Sequence, residues 1–294
     1  SEMCIRDRYI KGEKRRIVFA LVMLGVLVFC SLLGGTALGV LAPAGEEGIV
    51  LPIIMYHSIL RDNARTGQYV ITPARLEQDM LYLRERGYTT VGVNDLIEYV
   101  YNGVPLPEKP VMLTFDDAYY NNLTYLEPLL IEYDMKAVVS AVGSYAQQYS
   151  QSGDKNPSYA YLSWEDLKEL NERGYIEIQN HSYDMHKNSG RLGAGRKQGE
   201  SLEVYSQALS DDVMRMDKNL REKCGISALC FTYPFGKISR ESEDILKELG
   251  FKATLSCYER MNYITREPQC LFQLGRYNRH GALTTAEFMT KAGI

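Results

Sequence analysis

The sequence predicts an α/β protein, a barrel of seven or eight strand–helix units preceded by one N-terminal transmembrane helix. Strand-like and helix-like stretches alternate from residue 50 onward, which indicates parallel strands covered by helices. A helix-ending signal recurs three times, in which an amphipathic stretch closes with a glycine and an aromatic residue (Gly87-Tyr88, Gly174-Tyr175 and Gly250-Phe251). Seven or eight units in about 245 residues fit a barrel better than a doubly wound sheet.

The N-terminal segment is apolar enough to cross a bilayer. Residues 17–42 contain no charged side chain, and about 20 apolar residues are needed to span the hydrocarbon core. Six basic residues precede them, which predicts a cytoplasmic N-terminus and an extracytoplasmic domain at the cell membrane. We therefore expect a tail at 1–16, whose first residues resemble an artefact, an anchor at 17–42, a linker at 43–49 and one domain at 50–294. Secretion after signal cleavage is the alternative.

The later elements follow in order from local signals. Thr72-Pro73 and Ser163 with Asp166 are typical helix starts, since a hydroxyl caps the first turn and proline suits its first position. Strands are predicted, in order, at 50–55, 89–93, 111–115, 137–142, 176–180, 228–233, 252–256 and 271–277.

The charge balance excludes one large class of partner. After the basic tail, 27 lysines and arginines face 34 acidic residues, a net charge of −7. Nucleic-acid binding depends on phosphate neutralisation, so we expect no nucleic-acid partner, and a neutral or cationic polymer is easier to accommodate. We also expect a monomer. The six cysteines include two possible extracellular pairs, Cys224 with Cys230 and Cys257 with Cys270, or they are buried free thiols.

Two acidic residues and two histidines are placed where a hydrolytic metal site would need them. Asp116 and Asp117 end an apolar strand, and His181 and His186 follow another strand. Two imidazoles and one carboxylate can hold a divalent ion with a position open for water, while the second carboxylate accepts a proton. Solvated turn residues and loop histidines are the alternative reading. A non-haem iron site is disfavoured, because such sites usually draw on an all-β scaffold with His-x-Asp spacing.

Other polar and turn residues fall at the same predicted rim. His57 and the turn Tyr233-Pro234-Phe235-Gly236 also come just after strand ends, where α/β proteins place their active sites. The segments 145–161 and 187–199 are rich in glycine, serine and tyrosine. They are either walls of a groove on that face or ordinary surface loops.

These motifs together resemble a known family. Thr114-Phe115-Asp116-Asp117, the histidine pair and Phe231–Gly236 resemble the first three motifs of the polysaccharide deacetylases (NodB-homology, carbohydrate esterase family 4) over roughly residues 50–290. The resemblance implies a distorted (β/α) barrel and a divalent metal, Zn²⁺ first and Co²⁺ or Ni²⁺ next, held by Asp117, His181 and His186. It implies that Asp116 is the general base, and that the backbone N–H of Phe235 stabilises the oxyanion.

The chain also departs from the family pattern. Its histidines are five positions apart, a spacing similar to the poly-N-acetylglucosamine deacetylase branch and to membrane-anchored Gram-positive members. Thr232 stands where an arginine is common; Arg276 is either its substitute or an ordinary surface arginine. No Leu-x-x-His segment supplies the general acid. His57 and His280 are the candidates, with a strand-end histidine bonded to backbone as the alternative for His57, and Tyr233 is a candidate substrate contact.

The resemblance implies a hydrolase that removes N-acetyl groups from N-acetylglucosamine units of a cell-envelope or exported polysaccharide. Peptidoglycan and poly-N-acetylglucosamine are the expected substrate types. Two alternatives remain open at this point. The domain could bind glycans without turnover, or it could cleave O-acetyl esters on a xylan-like polymer.

Overall fold

A computed structural model describes residues 48–294 of the chain. The expected tail, the membrane anchor and most of the linker lie outside the described residues. No helix within 48–294 is both long and apolar enough to span a membrane. The strands are β1 Ile49–Leu51, β2 Ile53–Tyr56, β3 Ser58–Ile59, β4 Val70–Ile71, β5 Thr89–Thr90, β6 Pro110–Asp117, β7 Ala137–Ala141, β8 Ile176–Asn180, β9 Cys230–Thr232, β10 Ala253–Leu255, β11 Asn262–Ile264 and β12 Tyr277–Asn278.

Within residues 48–294, eight α-helices alternate with these strands. They are α1 Pro73–Glu85, α2 Val93–Ile97, α3 Glu127–Tyr133, α4 Gly143–Ser152, α5 Trp164–Glu172, α6 Leu202–Asn219, α7 Ser242–Glu248 and α8 Thr285–Lys291. Both predicted helix starts are confirmed: the Thr72 hydroxyl caps α1, and Ser163 forms a reciprocal capping box with Asp166 at α5.

The main sheet is parallel, as the alternating pattern predicts. Its strand order is β10-β9-β8-β7-β6-β2-β12, with β5 added beside the start of β6. The central strand β6 is buried at all eight positions, because helices cover one face and barrel side chains fill the other. The carboxyl ends of β6, β8 and β9 therefore meet at one end of the barrel.

The predicted closed ring is only partly formed. Regular pairing stops at β10 and β12, and the gap is bridged by residues 274–278, here called the seam segment. Leu274 exchanges backbone hydrogen bonds with Thr254 and Ser256, while Tyr277 and Asn278 pair with β2. The predicted strand 271–277 is therefore wrong over most of its length. Gln273 has a φ of +56°, which breaks the extended run.

The predicted first strand is divided in two. Pro52 separates β2, which joins the main sheet, from β1, which pairs antiparallel with β11. Proline has no N–H to donate, so it fits at the break between two strands. We call the β1–β11 pair the ribbon. It precedes β2 and so lies at the amino end of the barrel, opposite the strand ends that carry the polar motifs.

The core and the cysteines complete the fold. Three buried clusters of hydrophobic side chains fill the barrel and the spaces under its helices, all within the described residues. Cys224, Cys230, Cys257 and Cys270 are free thiols, so neither possible disulfide is formed.

Candidate metal centre

The three sequence-predicted ligands converge on one point. Asp117 is the last residue of β6, and His181 directly follows β8. The Nε2 atom of His186 lies 3.1 Å from Asp117 Oδ1, and the Nε2 atom of His181 lies 3.6 Å from the same oxygen. One ligand atom from each of the three residues falls within 4.8 Å of the others.

The backbone at this rim adopts unusual conformations. Asp117 has a φ of +73° and Ala118 a φ of +57°, and Ser182 beside the first histidine has a φ of +72°. Aspartate tolerates the left-handed region better than most residues, but such a cluster costs free energy and is typical of functional sites. The turn ends β6 abruptly, which keeps both carboxylates at the mouth of the barrel.

Hydrogen bonds select the ring nitrogens that face the site. The Nδ1 of His181 lies 2.8 Å from the carbonyl oxygen of Thr232, so it is the protonated nitrogen. The Nδ1 of His186 lies 3.3 Å from the hydroxyl of Tyr145. Because the Tyr145 hydroxyl donates to the backbone carbonyl of His186, its oxygen is able to accept from His186 Nδ1. With Nδ1 protonated on both rings, each Nε2 has a lone pair toward Asp117, as metal-binding histidines require.

The electrostatics of these residues fit a divalent cation. Asp117 Oδ1 is buried and has no hydrogen-bond partner among residues 48–294. Burial, followed by the charge of Asp116, raises the pKa of Asp117 to about 7. Burial also lowers the pKa of His181 to about 3, so that its imidazole is neutral. An uncompensated buried carboxylate beside two neutral imidazoles is a donor set suited to Zn²⁺, Co²⁺ or Ni²⁺.

Asp116 has a different environment from its neighbour. Both of its oxygens accept hydrogen bonds from the guanidinium of Arg276, at 2.7 and 2.9 Å, and both side chains are buried. Burial by itself would raise the pKa of Asp116, but Arg276 holds it well below the ordinary value. Arg276 is thus not a surface arginine. It comes from the seam segment and lies beside Asp116, which is the first of the two possibilities that the sequence left open.

A cavity of about 440 Å³ opens onto these residues. His57 lines it, with Nε2 3.9 Å from Asp116 Oδ2 and its ring centroid 4.6 Å from that of Tyr69 in a tilted arrangement. Burial lowers the pKa of His57 to about 4, although Asp116 opposes the shift. Its Nδ1 has no hydrogen-bond partner in the described part of the chain, in contrast to the backbone-bonded histidine considered as the alternative. Phe235 also lines the cavity, with a φ of +55° and its ring 4.4 Å from that of His186.

Two predicted site residues are not brought to this cavity. Tyr233 is fully buried, and its hydroxyl shares a hydrogen bond with Ser242 in the core beneath α7. His280 is held in its own turn, where Nδ1 accepts a hydrogen bond from the backbone N–H of Ala282. Neither side chain is among those that line the cavity. Position near a strand end does not distinguish these two residues from those whose side chains face the cavity.

Some contacts of the site were not predicted from the sequence. Tyr145 belongs to α4, so the segment 145–161 is partly helical and not wholly a loop. With Tyr119, Tyr149 and Tyr161 it forms an aromatic cluster beside the histidines. The tyrosine richness of that segment was the available signal. It left a wall of the site and an ordinary surface loop equally open, and did not indicate which tyrosine contacts His186.

Comparison with known proteins gives the family. The family model for polysaccharide deacetylases matches residues 103–254, just over half of the chain. The chain belongs to the polysaccharide deacetylase family. That match contains both aspartates, both histidines and Phe235, whereas His57 and Arg276 of this deacetylase-family domain lie outside it.

Curated relatives agree with this assignment. The chain is 26% identical over 217 residues to the poly-beta-1,6-N-acetyl-D-glucosamine N-deacetylase of Escherichia coli K12, covering 67% of this chain and 32% of that protein. It is 27% identical over 207 residues to the putative polysaccharide deacetylase YxkH of Bacillus subtilis, covering 70% and 64%. The chain therefore spans about a third of the E. coli protein's length.

Solved structures confirm the fold. The deacetylase PplD of Streptococcus pyogenes, in complex with acetate, superposes with a TM-score of 0.66 at 19% identity, covering 83% of this chain and 99% of that one. IcaB from Ammonifex degensii gives a TM-score of 0.64 at 23% identity, covering 84% and 97%. The chain therefore has the same fold as these solved deacetylase structures.

Proposed function

We propose that this domain removes N-acetyl groups from N-acetylglucosamine units of a cell-envelope or exported polysaccharide, with a divalent metal as cofactor. The observation that carries the proposal is that two adjacent carboxylates have different surroundings. Asp116 is held ionised by Arg276, whereas Asp117 points an unpartnered oxygen at two neutral imidazoles. The N-deacetylase names of several relatives support an amide substrate.

The roles of the residues follow from their positions. Asp117, His181 and His186 would hold the cation, which when bound supplies a Lewis acid for the acetyl oxygen and increases the acidity of water. Asp116 accepts the proton of the water that attacks the acetyl carbon. Because its pKa is low, Asp116 is ionised throughout the physiological range and is ready to accept that proton. The backbone N–H of Phe235 would donate to the developing oxyanion.

Breaking the carbon–nitrogen bond requires a proton on the leaving nitrogen. His57 is the candidate that the structure places in the cavity, next to Asp116. Its lowered pKa means that the resting imidazole is neutral at neutral pH. We therefore propose that His57 relays the proton gained by Asp116 to the nitrogen. The immediate products are acetic acid and a free amine, and transfer of the remaining hydroxyl proton to the amine gives acetate and an ammonium group.

The proposal is tested by acetate release from chito-oligomers, poly-β-1,6-N-acetylglucosamine and peptidoglycan. We expect release that needs Zn²⁺, Co²⁺ or Ni²⁺, disappears on chelation and returns when metal is restored. The Asp117→Asn variant should lose both metal binding and release, because it removes the only charged ligand of the three. Glycan binding without any release would instead support a binding protein, and a preference for acetyl esters would support the esterase.

A second prediction separates the two candidate proton donors. His57→Gln should lower kcat by about 100-fold, the lower range for losing a general acid, with a smaller change in KM. His280→Gln is the matched control and should leave kcat unchanged, because that ring is engaged in its own turn. Equal losses in both variants, or no loss in either, would contradict the assignment of His57.

The location of the domain is also a proposal. We infer that residues 17–42 anchor the chain in the cell membrane and that the domain faces outward, on the basis of the charge-free stretch and its basic flank. A single copy carries all the residues assigned above, in keeping with a monomer.

A further inference from the structure

The ribbon exposes a pair of apolar side chains. Val50 and Tyr263 lie directly opposite each other across its two strands, with exposed fractions of 48% and 62%. Their neighbours Leu51 and Ile264 point inward and are fully buried. The ribbon thus has an inner face packed on the barrel and an outer face that is apolar and without a partner among the described residues.

Further apolar groups surround the ribbon at the amino end of the barrel. Tyr101 and Val104, in the segment that follows α2, are 42% and 48% exposed. Arg266, two residues after β11, donates to the backbone carbonyl of Tyr99, which places this segment next to the ribbon. Lys252 lies over the ring of Tyr101. Tyrosines interspersed with long basic side chains are typical of surfaces at the lipid–water interface.

The covalent structure limits how far this end can be from a membrane. The charge-free stretch ends at residue 42, and β1 begins at Ile49. Seven residues span at most about 25 Å when fully extended. If residues 17–42 cross the bilayer, as proposed above, the amino end of the barrel is held within that distance of the lipid surface.

We propose that the outer face of the ribbon, with Tyr101 and Val104, rests on the lipid surface of the membrane. The contact depends on apolar burial and not on charge, because acidic Glu98, Glu108 and Glu267 are exposed near the basic groups. The cavity lies at the other end of the barrel. The eight residues of β6 alone extend about 26 Å, so the cavity faces away from the bilayer.

This orientation bears on the substrate of the proposed deacetylase, and to that extent rests on the proposed function. A cavity that opens away from the bilayer is accessible to long polymer chains outside the membrane. It is poorly accessible to a sugar carried on a lipid in the same bilayer. We therefore infer that the substrate class is the assembled polymer and not its lipid-linked precursor.

The lipid contact is tested with the full chain reconstituted in vesicles that contain phosphatidylcholine bearing doxyl groups in the acyl region. Tyr263→Trp places an indole on the ribbon. Tyr258→Trp is the matched control, because Tyr258 is also exposed, only five residues away in sequence, but is flanked by the cavity residues Cys257 and Glu259. The unmodified chain, with Trp164 alone, gives the baseline.

We expect the indole introduced by Tyr263→Trp to lose about half of its fluorescence, and that introduced by Tyr258→Trp to stay at its value in unlabelled lipid. The loss should be the same when anionic lipid is added. Equal fluorescence at the two positions, failure of the chain to remain with the vesicles, or quenching that depends on anionic lipid would overturn the lipid contact. Cross-linking of the ribbon to a second copy would also overturn it. Acetate release is measured separately, so each of these outcomes leaves the proposed hydrolysis intact.

Acetate release from polymer and from a lipid-linked precursor in the same vesicles tests the substrate inference. We expect release from the polymer only. Faster release from the lipid-linked substrate would overturn this inference, whereas release from neither would count against the proposed function itself.

Discussion

Replacing Arg276 with methionine is expected to destabilise the protein by about 3–5 kcal/mol, a large part of a typical domain's stability. The substitution leaves the carboxylate of Asp116 buried without its counter-ion. Burial is the largest influence on that carboxylate and raises its pKa, so the pKa should move above the ordinary value once Arg276 is removed. Thermal and denaturant unfolding give the loss of stability.

The same variant should also change the pH dependence of activity. In the native protein the low pKa of Asp116 means that the stability from the ion pair is present at neutral pH. It is lost only as acidification takes the pH below the ordinary carboxyl range. In Arg276→Met, the acid limb of the activity profile should therefore move to higher pH, because Asp116 acts in its ionised form.

A second buried arginine provides the matched control. Arg279 forms a fully buried ion pair with Asp79 at 2.7 Å, away from the cavity. Arg279→Met should cost a similar free energy of unfolding without moving the acid limb. If both variants shift the profile alike, the effect comes from general loosening and Arg276 does not tune Asp116. Adding Asp116→Asn to Arg276→Met should recover part of the lost stability, since it removes the unpaired charge.

Replacing Asp116 with asparagine is expected to lower kcat by about 10²- to 10⁴-fold, the usual cost of removing a general base. The amide occupies the same volume but cannot take the proton of water. Metal binding should persist, because the three ligand atoms belong to other side chains. Acetate release and metal affinity are measured on the same preparation, at a temperature well below the unfolding transition.

Asp117→Asn is the comparison that makes this result specific. The two residues are adjacent and both buried, so a nonspecific effect of substitution should be similar at both. We expect Asp116→Asn to bind metal without turnover and Asp117→Asn to lose both. If Asp116→Asn also loses metal, the two carboxylates share the cation, and the division of roles is wrong.

The sequence predicted that Asp117, His181 and His186 would meet at one rim because each is marked locally. An apolar strand ends at the two aspartates, and the histidines follow another strand, so the parallel topology alone brings them to one rim. The role of Arg276 could not be predicted in the same way. Its partner is 160 residues away, and which of several arginines near strand ends turns inward depends on tertiary packing.

The errors in strand prediction have a similar origin. A run of apolar residues from 50 to 55 reads as one strand, but the two halves pair with different partners on either side of Pro52. The predicted strand at 89–93 ends at Thr90, because Gly92 caps the helix that begins at Val93. The backbone N–H of Gly92 donates a hydrogen bond to the carboxylate of Asp95 in the first turn of that helix. Residue periodicity does not contain this information, since pairing partners are distant in sequence.

The seam segment has a consequence for the order in which the protein matures. Asp116 is synthesised 160 residues before Arg276, which at about 5–20 residues per second is an interval of roughly 10–30 s. Once His186 has been added, 90 residues before Arg276, the nascent chain contains all three candidate metal ligands while Asp116 still lacks its counter-ion. Catalytic competence is thus acquired late, when the segment that joins the two ends of the sheet takes its place. A chain that ends before the seam segment would keep the three candidate metal ligands and still release no acetate.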